Sequence, residues 1–241
     1  MEKIIDMHCH ILPGIDDGSK DWDETKEMLR IAYEEGTRLI VTTPHHHKKR
    51  GMCTPAEYKD RLLGIRKVIE EMGIKMKIVP GMEVNYDYDV LEKLQKKQLQ
   101  TMGNSNYVLI EFSPSDDFSY IQQALQQVQM LGYYPILAHV ERYNCLVGEV
   151  DDVAYLVDMG VYIQVNAGSI IGNSGRTIKK FIKELMEEEL VHFVGTDAHS
   201  CRSRAPKIQE SARYVEKKFG EEYAVEIFRN NGMKVIKNEI I

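Results

Sequence analysis

The sequence lacks the features of a membrane-inserted, exported or nucleic-acid-binding protein. No apolar run among its 241 residues approaches the roughly 20 residues that a membrane helix needs. The N-terminal residues lead directly into a strand pattern, with no apolar signal segment. The formal net charge is −6 and the sequence pI is about 5.8, whereas nucleic-acid-binding domains usually carry a basic face. We therefore expect a cytoplasmic protein with no membrane insertion and no nucleic-acid partner.

Cysteine is scarce, and its positions exclude one phosphatase mechanism. The four cysteines are scattered along the chain, at Cys9, Cys53, Cys145 and Cys201. Because they form no C-x-x-C pair, we expect reduced thiols in the cytosol. A cysteine-dependent tyrosine phosphatase needs an arginine six positions after its cysteine in the phosphate-binding loop. The residues at those positions are Ile15, Lys59, Asp151 and Lys207. No arginine is among them, which excludes this mechanism.

Apolar, β-branched segments alternate with amphipathic helices along the whole chain. Strands are predicted at residues 4–10, 38–43, 76–84, 107–112, 135–140, 161–166 and 191–196. This alternation predicts a parallel sheet covered by helices, and seven such units in about 240 residues suit a closed or nearly closed (β/α) barrel. The periodicity is also compatible with an open doubly wound sheet. Because no linker, repeat or low-complexity segment interrupts the chain, we expect one domain over residues 1–241.

Histidines and carboxylates recur where the predicted strands end. His8 and His10 lie on the same face of the first strand, and two neighbouring imidazoles can bind a divalent metal. In a (β/α) barrel the functional groups lie at this C-terminal rim. The candidate metal ligands are His8, His10, Asp17, His45, Glu83, Glu111, His139, Asp197 and His199. Only the sixth strand contributes none, since it ends in Gln164 and Asn166. We interpret this recurrence as a metal site.

The number of candidate ligands indicates more than one ion. Nine side chains are too many for one tetrahedral metal. They suit two or three divalent ions with bridging carboxylates, which is an arrangement used to hydrolyse phosphate esters. The positive charge of three divalent ions would exceed the negative charge of the four carboxylates, which would create a positive pocket in an acidic protein. Such a pocket suits an anionic substrate.

Several motifs resemble those of one superfamily. Asp6-x-His8-x-His10, Glu83, His139 and the run at 196–199 resemble the polymerase-and-histidinol-phosphatase (PHP) superfamily. Longer stretches resemble bacterial tyrosine-protein phosphatases of the CpsB and YwqE type, at residues 8–18, 43–46, 109–112, 138–142 and 192–199. The resemblance extends over nearly the whole chain. It implies a distorted (β/α)7 barrel of the PHP type with a trinuclear centre that is usually manganese-dependent; Fe, Zn, Co and Mg are the alternatives.

The resemblance also implies how the ligands are shared. One ion would be held by His8, His10, Glu83 and Asp197. A second would be held by Glu83, Glu111 and His139, with Glu83 bridging, and a third by Asp17, His45 and His199. Asp17 is assigned in preference to Asp16 because it precedes Gly18. Family members carry arginines at the positions of Arg142 and Arg204, so Arg204 is preferred to Arg202 as a phosphate contact. The alternative for either arginine is a surface ion pair.

By resemblance, the expected activity is hydrolysis of phosphotyrosine by metal-activated water. The expected partner is the phosphotyrosine tail of a bacterial tyrosine kinase that controls capsule or exopolysaccharide synthesis. Three alternatives stay open: a histidinol-phosphate phosphatase or other small-molecule phosphoesterase, an amidohydrolase barrel, and a non-catalytic PHP module that binds partners. An amidohydrolase typically has a bridging lysine at the fourth strand, where this sequence has Glu111. The sequence leaves the oligomeric state open.

Overall fold

A computed structural model of the chain describes residues 3–241. The strands are β1 (Ile4–Cys9), β2 (Thr37–Thr42), β3 (His45–His46), β4 (Lys77–Pro80), β5 (Glu83–Asn85), β6 (Tyr107–Glu111), β7 (Tyr134–Leu137), β8 (Tyr162–Asn166) and β9 (Phe193–Gly195). The longer helices are α1 (Trp22–Glu34), α2 (Pro55–Glu71), α3 (Val90–Gln95), α4 (Phe118–Met130), α5 (Val150–Asp158), α6 (Ala167–Ile171), α7 (Arg176–Glu187), α8 (Gln209–Phe219), α9 (Glu221–Val225) and α10 (Asn231–Lys237). A π-helical turn at Glu226–Asn230 joins α9 to α10. No helix within residues 3–241 has the length and apolar character to cross a membrane.

The strands form a curled parallel sheet in two hydrogen-bonded parts. One part has the order β1-β2-β4, and the other has the order β3-β5-β6-β7-β8-β9. All the pairings between these strands are parallel. Past the end of β9, Ala198 forms a parallel bridge with Cys9 of β1. The predicted parallel α/β architecture is confirmed, and the sheet curls so that its first and last strands meet.

The predicted third strand is broken in two, and a short additional strand, β3, follows the predicted second strand, which gives nine strand segments where seven were expected. The second strand ends before Thr43-Pro44, because proline lacks the amide donor that a ladder needs. The third breaks at Gly81, whose amide donates to the hydroxyl of Tyr58 rather than to a strand. A Cβ on Gly81 would lie 2.6 Å from a methyl group of Val41. This close approach requires glycine.

The helices begin at well-defined caps and bury apolar faces against the sheet. Asp21 accepts a hydrogen bond from the amide of Glu24 at the start of α1, and Thr54 and Glu57 form a reciprocal capping box on α2. Cys9 is buried with Leu12 and Met28 beneath these helices. Burial raises the pKa of the Cys9 thiol well above its ordinary value. The thiol therefore packs as a small hydrophobic group.

His192 lies just before β9 and is held in its neutral form. The main-chain amide of Ile163 donates a hydrogen bond of 3.2 Å to its Nδ1. Burial lowers the pKa of His192 to about 4. The unfolded chain takes up a proton here near pH 6.5, so it gains protons before the folded chain does as the pH falls. The stability that His192 contributes is therefore present above pH 6.5 and is lost below it.

We expect His192→Gln to make the protein less sensitive to mild acid. Between pH 7.5 and pH 5 the wild type should lose about 2 kcal/mol more of its free energy of unfolding than the variant does. Urea unfolding at the two pH values measures this difference. An equal loss in both proteins would mean that His192 titrates alike in the folded and unfolded chains.

Candidate metal centre

The nine predicted ligands come together at the C-terminal ends of the strands. His8 and His10 lie at the end of β1, His45 on β3, Glu83 on β5 and Glu111 on β6. His139 follows β7, Asp197 and His199 follow β9, and Asp17 lies in the loop after β1. Every one of them contacts another member of the set. Eight are buried, whereas the side chain of Asp17 is 50% exposed.

The rings of His8 and His10 face each other through their Nε2 atoms. Nδ1 of His8 lies 3.1 Å from Oε1 of Gln164, and Nδ1 of His10 lies 2.8 Å from Oδ2 of Asp16. Both oxygens are acceptors, so each ring donates from Nδ1. The two Nε2 atoms are then only 3.1 Å apart. Without a proton between them, two nitrogen lone pairs at this distance repel each other. A metal ion lying against both atoms can take the place of that proton, which is how metal-bound histidines are oriented.

Glu83 is the carboxylate at the centre of the cluster. Its Oε2 lies 2.9 Å from Nδ1 of His45, 3.2 Å from Nε2 of His10 and 3.3 Å from Nε2 of His8. Its Oε1 lies 2.8 Å from Nε2 of His139. Burial acts to raise the pKa of Glu83, but the charge of His8 and the nearby rings of His10 and His139 outweigh it and hold this pKa well below its ordinary value. Glu83 is therefore a buried anion.

The electrostatic environment around His10 favours positive charge. Burial alone would lower the pKa of His10, but its bonds to Asp16 and Glu83 outweigh burial and raise it to about 10. The neighbouring His199 has the opposite shift. Burial and the charge of His10 lower the pKa of His199 to about 2, and its Nδ1 donates to the main-chain oxygen of Asp197. Its Nε2 therefore keeps a lone pair, 3.4 Å from Asp17.

Three groups of side chains bring their donor atoms within 4.8 Å of one another. They are His8 with His10 and Asp197; His45 with Glu83 and Glu111; and His10 with Asp17, His45 and His199. These groups overlap the three ligand sets implied by the resemblance, but His10 and His45 each occur in two groups. The ligand sets stay a prediction.

Orphaned polar atoms test whether metal ions fit these groups. Among the described residues, the buried Nδ1 and Nε2 of His45, Oε2 of Glu83 and Oε1 of Glu111 have no hydrogen-bond partner. Unsatisfied buried polar atoms are costly. Imidazole nitrogens and carboxylate oxygens facing one another without hydrogen bonds are the donors that a divalent metal accepts. The residues present therefore fit metal ions.

Asp197 joins the cluster to both candidate arginines. Its Oδ1 lies 3.5 Å from Nε2 of His10 and accepts a 2.8 Å bond from Arg204, while Oδ2 pairs with Arg142. Both guanidinium groups are about two-fifths exposed, so each also reaches solvent at the rim. Within the described residues, the guanidinium of Arg202 makes no hydrogen bond or ion pair with the cluster. The geometry therefore favours Arg204 over Arg202.

Two cluster residues have a left-handed backbone that is uncommon outside glycine. His139 has φ of +34° and Asp197 has φ of +51°. The amide of His139 donates to Gln164 at 2.8 Å, and the amide of Asp197 donates to the main-chain oxygen of His8 at 2.7 Å. These bonds hold both residues in their strained conformations. Strain of this kind is concentrated at functional sites.

Sequence reasoning missed the residues that orient the ligands. Gln164 accepts from His8 and from the amide of His139, and donates to Asn166, which donates to Asp197. The sixth strand thus supplies positioning groups rather than ligands, and their i, i+2 spacing at a strand end was the available signal. Asp16 bonds His10 and the amide of His45. Arg50 lies 3.3 Å from Glu111.

The extra histidines after His45 do not join the cluster. Nε2 of His46 lies 2.9 Å from Nζ of Lys93. Nδ1 of His47 accepts from the amides of Lys49 and Arg50. These two rings therefore support the loop rather than the candidate metal site, as alternation along β3 requires of His46.

Comparison with known proteins agrees with the fold and identifies a family. The family described as "Capsular polysaccharide synthesis, CpsB/CapC" matches residues 4–237. The tyrosine-protein phosphatase CpsB of Streptococcus pneumoniae is 37% identical, over 99% of this chain and 100% of its own. The tyrosine-protein phosphatase YwqE of Bacillus subtilis is 35% identical, over 99% and 93%. A crystal structure described as YwqE and CpsB, "unique metal-dependent tyrosine phosphatases", superposes with a TM-score of 0.92 at 34% identity, over 99% and 96%.

A curled parallel α/β sheet that gathers histidines and carboxylates at its strand ends defines a protein with the architecture of metal-binding (β/α) enzymes. Within that class, the chain belongs to the CpsB/CapC family. The predicted resemblance to the CpsB and YwqE phosphatases is confirmed.

We expect Gln164→Ala to weaken metal binding by about 10-fold to 100-fold, the usual effect of losing a group that orients a metal ligand. Replacing this side chain frees the ring of His8 and the amide of His139 together. Competition with a chromophoric chelator measures the affinity for Mn²⁺. Gln122→Ala on α4 is the matched control, and circular dichroism reports folding. Equal affinities for a folded Gln164→Ala protein and the wild type would remove Gln164 from this role.

Proposed function

We propose that this protein is a metal-dependent protein-tyrosine phosphatase. The observation that carries the proposal is the pair of Nε2 atoms of His8 and His10, 3.1 Å apart beside Glu83 and Asp197. The full-length similarity to CpsB and YwqE, both named tyrosine-protein phosphatases, supports the reaction. The substrate is phosphotyrosine on a bacterial tyrosine kinase that controls capsule or exopolysaccharide synthesis, and the location is cytoplasmic. The family's description links it to capsule synthesis.

The nine residues of the cluster would hold two or three divalent ions: His8, His10, Asp17, His45, Glu83, Glu111, His139, Asp197 and His199. The mixture of imidazole and carboxylate suits Mn²⁺, which we propose as the metal, and also suits Fe, Zn or Co. Glu83 would serve more than one ion, because its two oxygens face different histidines. Asp17 is a ligand and Asp16 a positioning residue, since Asp16 already bonds His10, the amide of His45 and Gly18.

The chain's own groups bind and orient the phosphate. Bound divalent ions would supply a water nucleophile at neutral pH and Lewis acidity. Arg142 and Arg204 are anchored on Asp197 from opposite oxygens, which leaves their outer N–H groups to donate to phosphoryl oxygens in paired geometry. A phenol leaves with a pKa of about 10, so little proton donation is needed. The buried thiol of Cys9 takes no part.

The finer architecture we propose is a distorted (β/α)7 barrel of the PHP type in one domain. In this description β2 with β3, and β4 with β5, each count as one bent strand. Closure is supported by two backbone bonds between the first and last strands: His10 donates to Ala198 at 2.9 Å, and Asp197 donates to His8 at 2.7 Å. None of the nine ligands is missing, which argues against a non-catalytic PHP module.

Metal-stripped protein should regain hydrolysis of a phosphotyrosine peptide when Mn²⁺ is returned, because eight of the nine cluster residues are buried and several of their donor atoms have no hydrogen-bond partner. His139→Ala should lose about 100-fold or more in kcat/KM, since it removes one proposed ligand. His192→Gln, outside the cluster, should retain full activity. Thiol alkylation should have no effect.

Activity on histidinol phosphate, measured in parallel, tests the small-molecule alternative. Faster turnover of histidinol phosphate than of the peptide would move the protein to that branch. Metal-loaded protein that turns over neither substrate would overturn the phosphatase assignment.

Arg142→Lys and Arg204→Lys should each lower kcat/KM on p-nitrophenyl phosphate by about 100-fold, because lysine cannot make a paired contact with phosphate. Arg202→Lys is the matched control from the same loop and should change little. Metal content, measured by plasma emission, should be unchanged in all three. A loss in Arg202→Lys as large as in Arg204→Lys would reverse their assignment.

A further inference from the structure

A groove lies between α2 and the segment at residues 97–104, beside His46 of β3 and Pro80 of β4. We call it the α2 groove. It encloses about 910 Å³, near the upper end of the range of about 300–1,000 Å³ for ligand sites. Its apolar lining includes Leu62, Leu63, Met82 and Leu99. Leu63 is 47% exposed, so the groove offers accessible apolar surface.

The charges along the α2 groove are all positive. Lys59, Arg66 and Lys97 are its charged lining residues, besides the titratable His46, and no carboxylate lines it. None of the three cations forms an ion pair within the described part of the chain; Arg66 only donates to the main-chain oxygen of Ile78 at 3.4 Å. Within residues 3–241, unpaired cations also occur on other helices, for example Lys26 on α1 and Lys217 on α8. The α2 groove differs in that three of them line one concave surface with no carboxylate beside them, in a protein of net charge −6.

Two short chain segments connect the lining of the α2 groove with the metal centre. His46 lines the groove, and the preceding residue, His45, lies in the cluster. Cys53 and Thr54 also line it. Two residues before Cys53, Gly51 packs so closely on Asp16 that a Cβ would lie 2.7 Å from the Asp16 side chain. Because consecutive Cα atoms are about 3.8 Å apart, the groove opens within a few residues' reach of the centre.

We propose that the α2 groove binds the polypeptide on one side of the phosphotyrosine, and that it selects segments carrying acidic and apolar side chains. Charge complementarity supports this occupant, since carboxylates of the substrate would pair with Lys59, Arg66 and Lys97. Apolar side chains of the same segment would cover Leu63. The proposal rests on the proposed function, because it extends the phosphotyrosine site along the substrate chain.

Reversing the three groove charges should weaken binding of acidic substrates and leave the catalytic step unchanged. The variant is Lys59→Glu with Arg66→Glu and Lys97→Glu. On a phosphotyrosine peptide flanked by Asp, Glu and Leu, its KM should rise about tenfold or more at low salt, with kcat little changed. On p-nitrophenyl phosphate its kcat/KM should match the wild type. Added salt should narrow the difference on the acidic peptide.

A matched control separates groove binding from general charge. Lys26→Glu with Lys67→Glu and Lys217→Glu makes the same change in net charge at exposed positions outside the groove, one of them on α2 itself. This control should keep the wild-type KM for the acidic peptide. A second peptide with Ser and Gly flanks should bind the wild type and both variants alike.

The two proposals fail in different ways. Equal KM values for the acidic peptide in the wild type, the groove variant and the control would overturn the α2 groove while leaving the phosphatase intact. Absence of turnover of p-nitrophenyl phosphate by the metal-loaded wild type would instead overturn the proposed function. In that case fluorescence anisotropy of the labelled acidic peptide still tests the groove, and equal affinities for the wild type and the groove variant would reject it.

Discussion

Negative charge buried beside imidazoles is the constraint on which the rest of this structure depends. Glu83 is a fully buried carboxylate that faces four histidines. An aliphatic residue in its place would leave those imidazole rings without an anionic partner. A buried ion is tolerated only where opposite charge and hydrogen bonds surround it. Further groups hold these neighbours in place: Asp16 bonds the ring of His10 and Gln164 that of His8. Arg142 and Arg204 pair with Asp197. The fold serves to bring these groups to one point.

The location of the site was predictable from the sequence, because one rule about parallel sheets links distant residues. Functional side chains at strand ends meet at one rim, and this alone brought His8, Glu83 and Asp197 together across almost 190 positions. The orienting contacts were not predictable. Whether Gln164 bonds His8 or solvent depends on the register between β7, β8 and β9, and local periodicity carries no information about register. Periodicity does not distinguish Asp16 from Asp17 either; only the resemblance favoured Asp17 as the ligand.

The break in the third strand, and the short strand β3 beyond Pro44, could not be anticipated for the same reason. Residues 76–84 read as one continuous strand, but the hydroxyl of Tyr58 binds both the amide and the carbonyl of Gly81 and interrupts it. The pairing keeps its register across the interruption, so that His45 lies opposite Glu83. The neighbouring His46 faces outward towards Lys93. One two-residue strand therefore has an inner face on the metal centre and an outer face on the α2 groove.

The contact between β1 and the end of β9 also determines when, during synthesis, the cluster can be completed. The carboxylate of Asp6 accepts bonds from the amide and hydroxyl of Thr196, so the first strand is completed by residues made 190 positions later. During synthesis the histidines of β1 leave the ribosome long before Asp197 and His199 exist. Contacts this distant in sequence also form slowly. The complete cluster therefore forms only after the whole chain has been made.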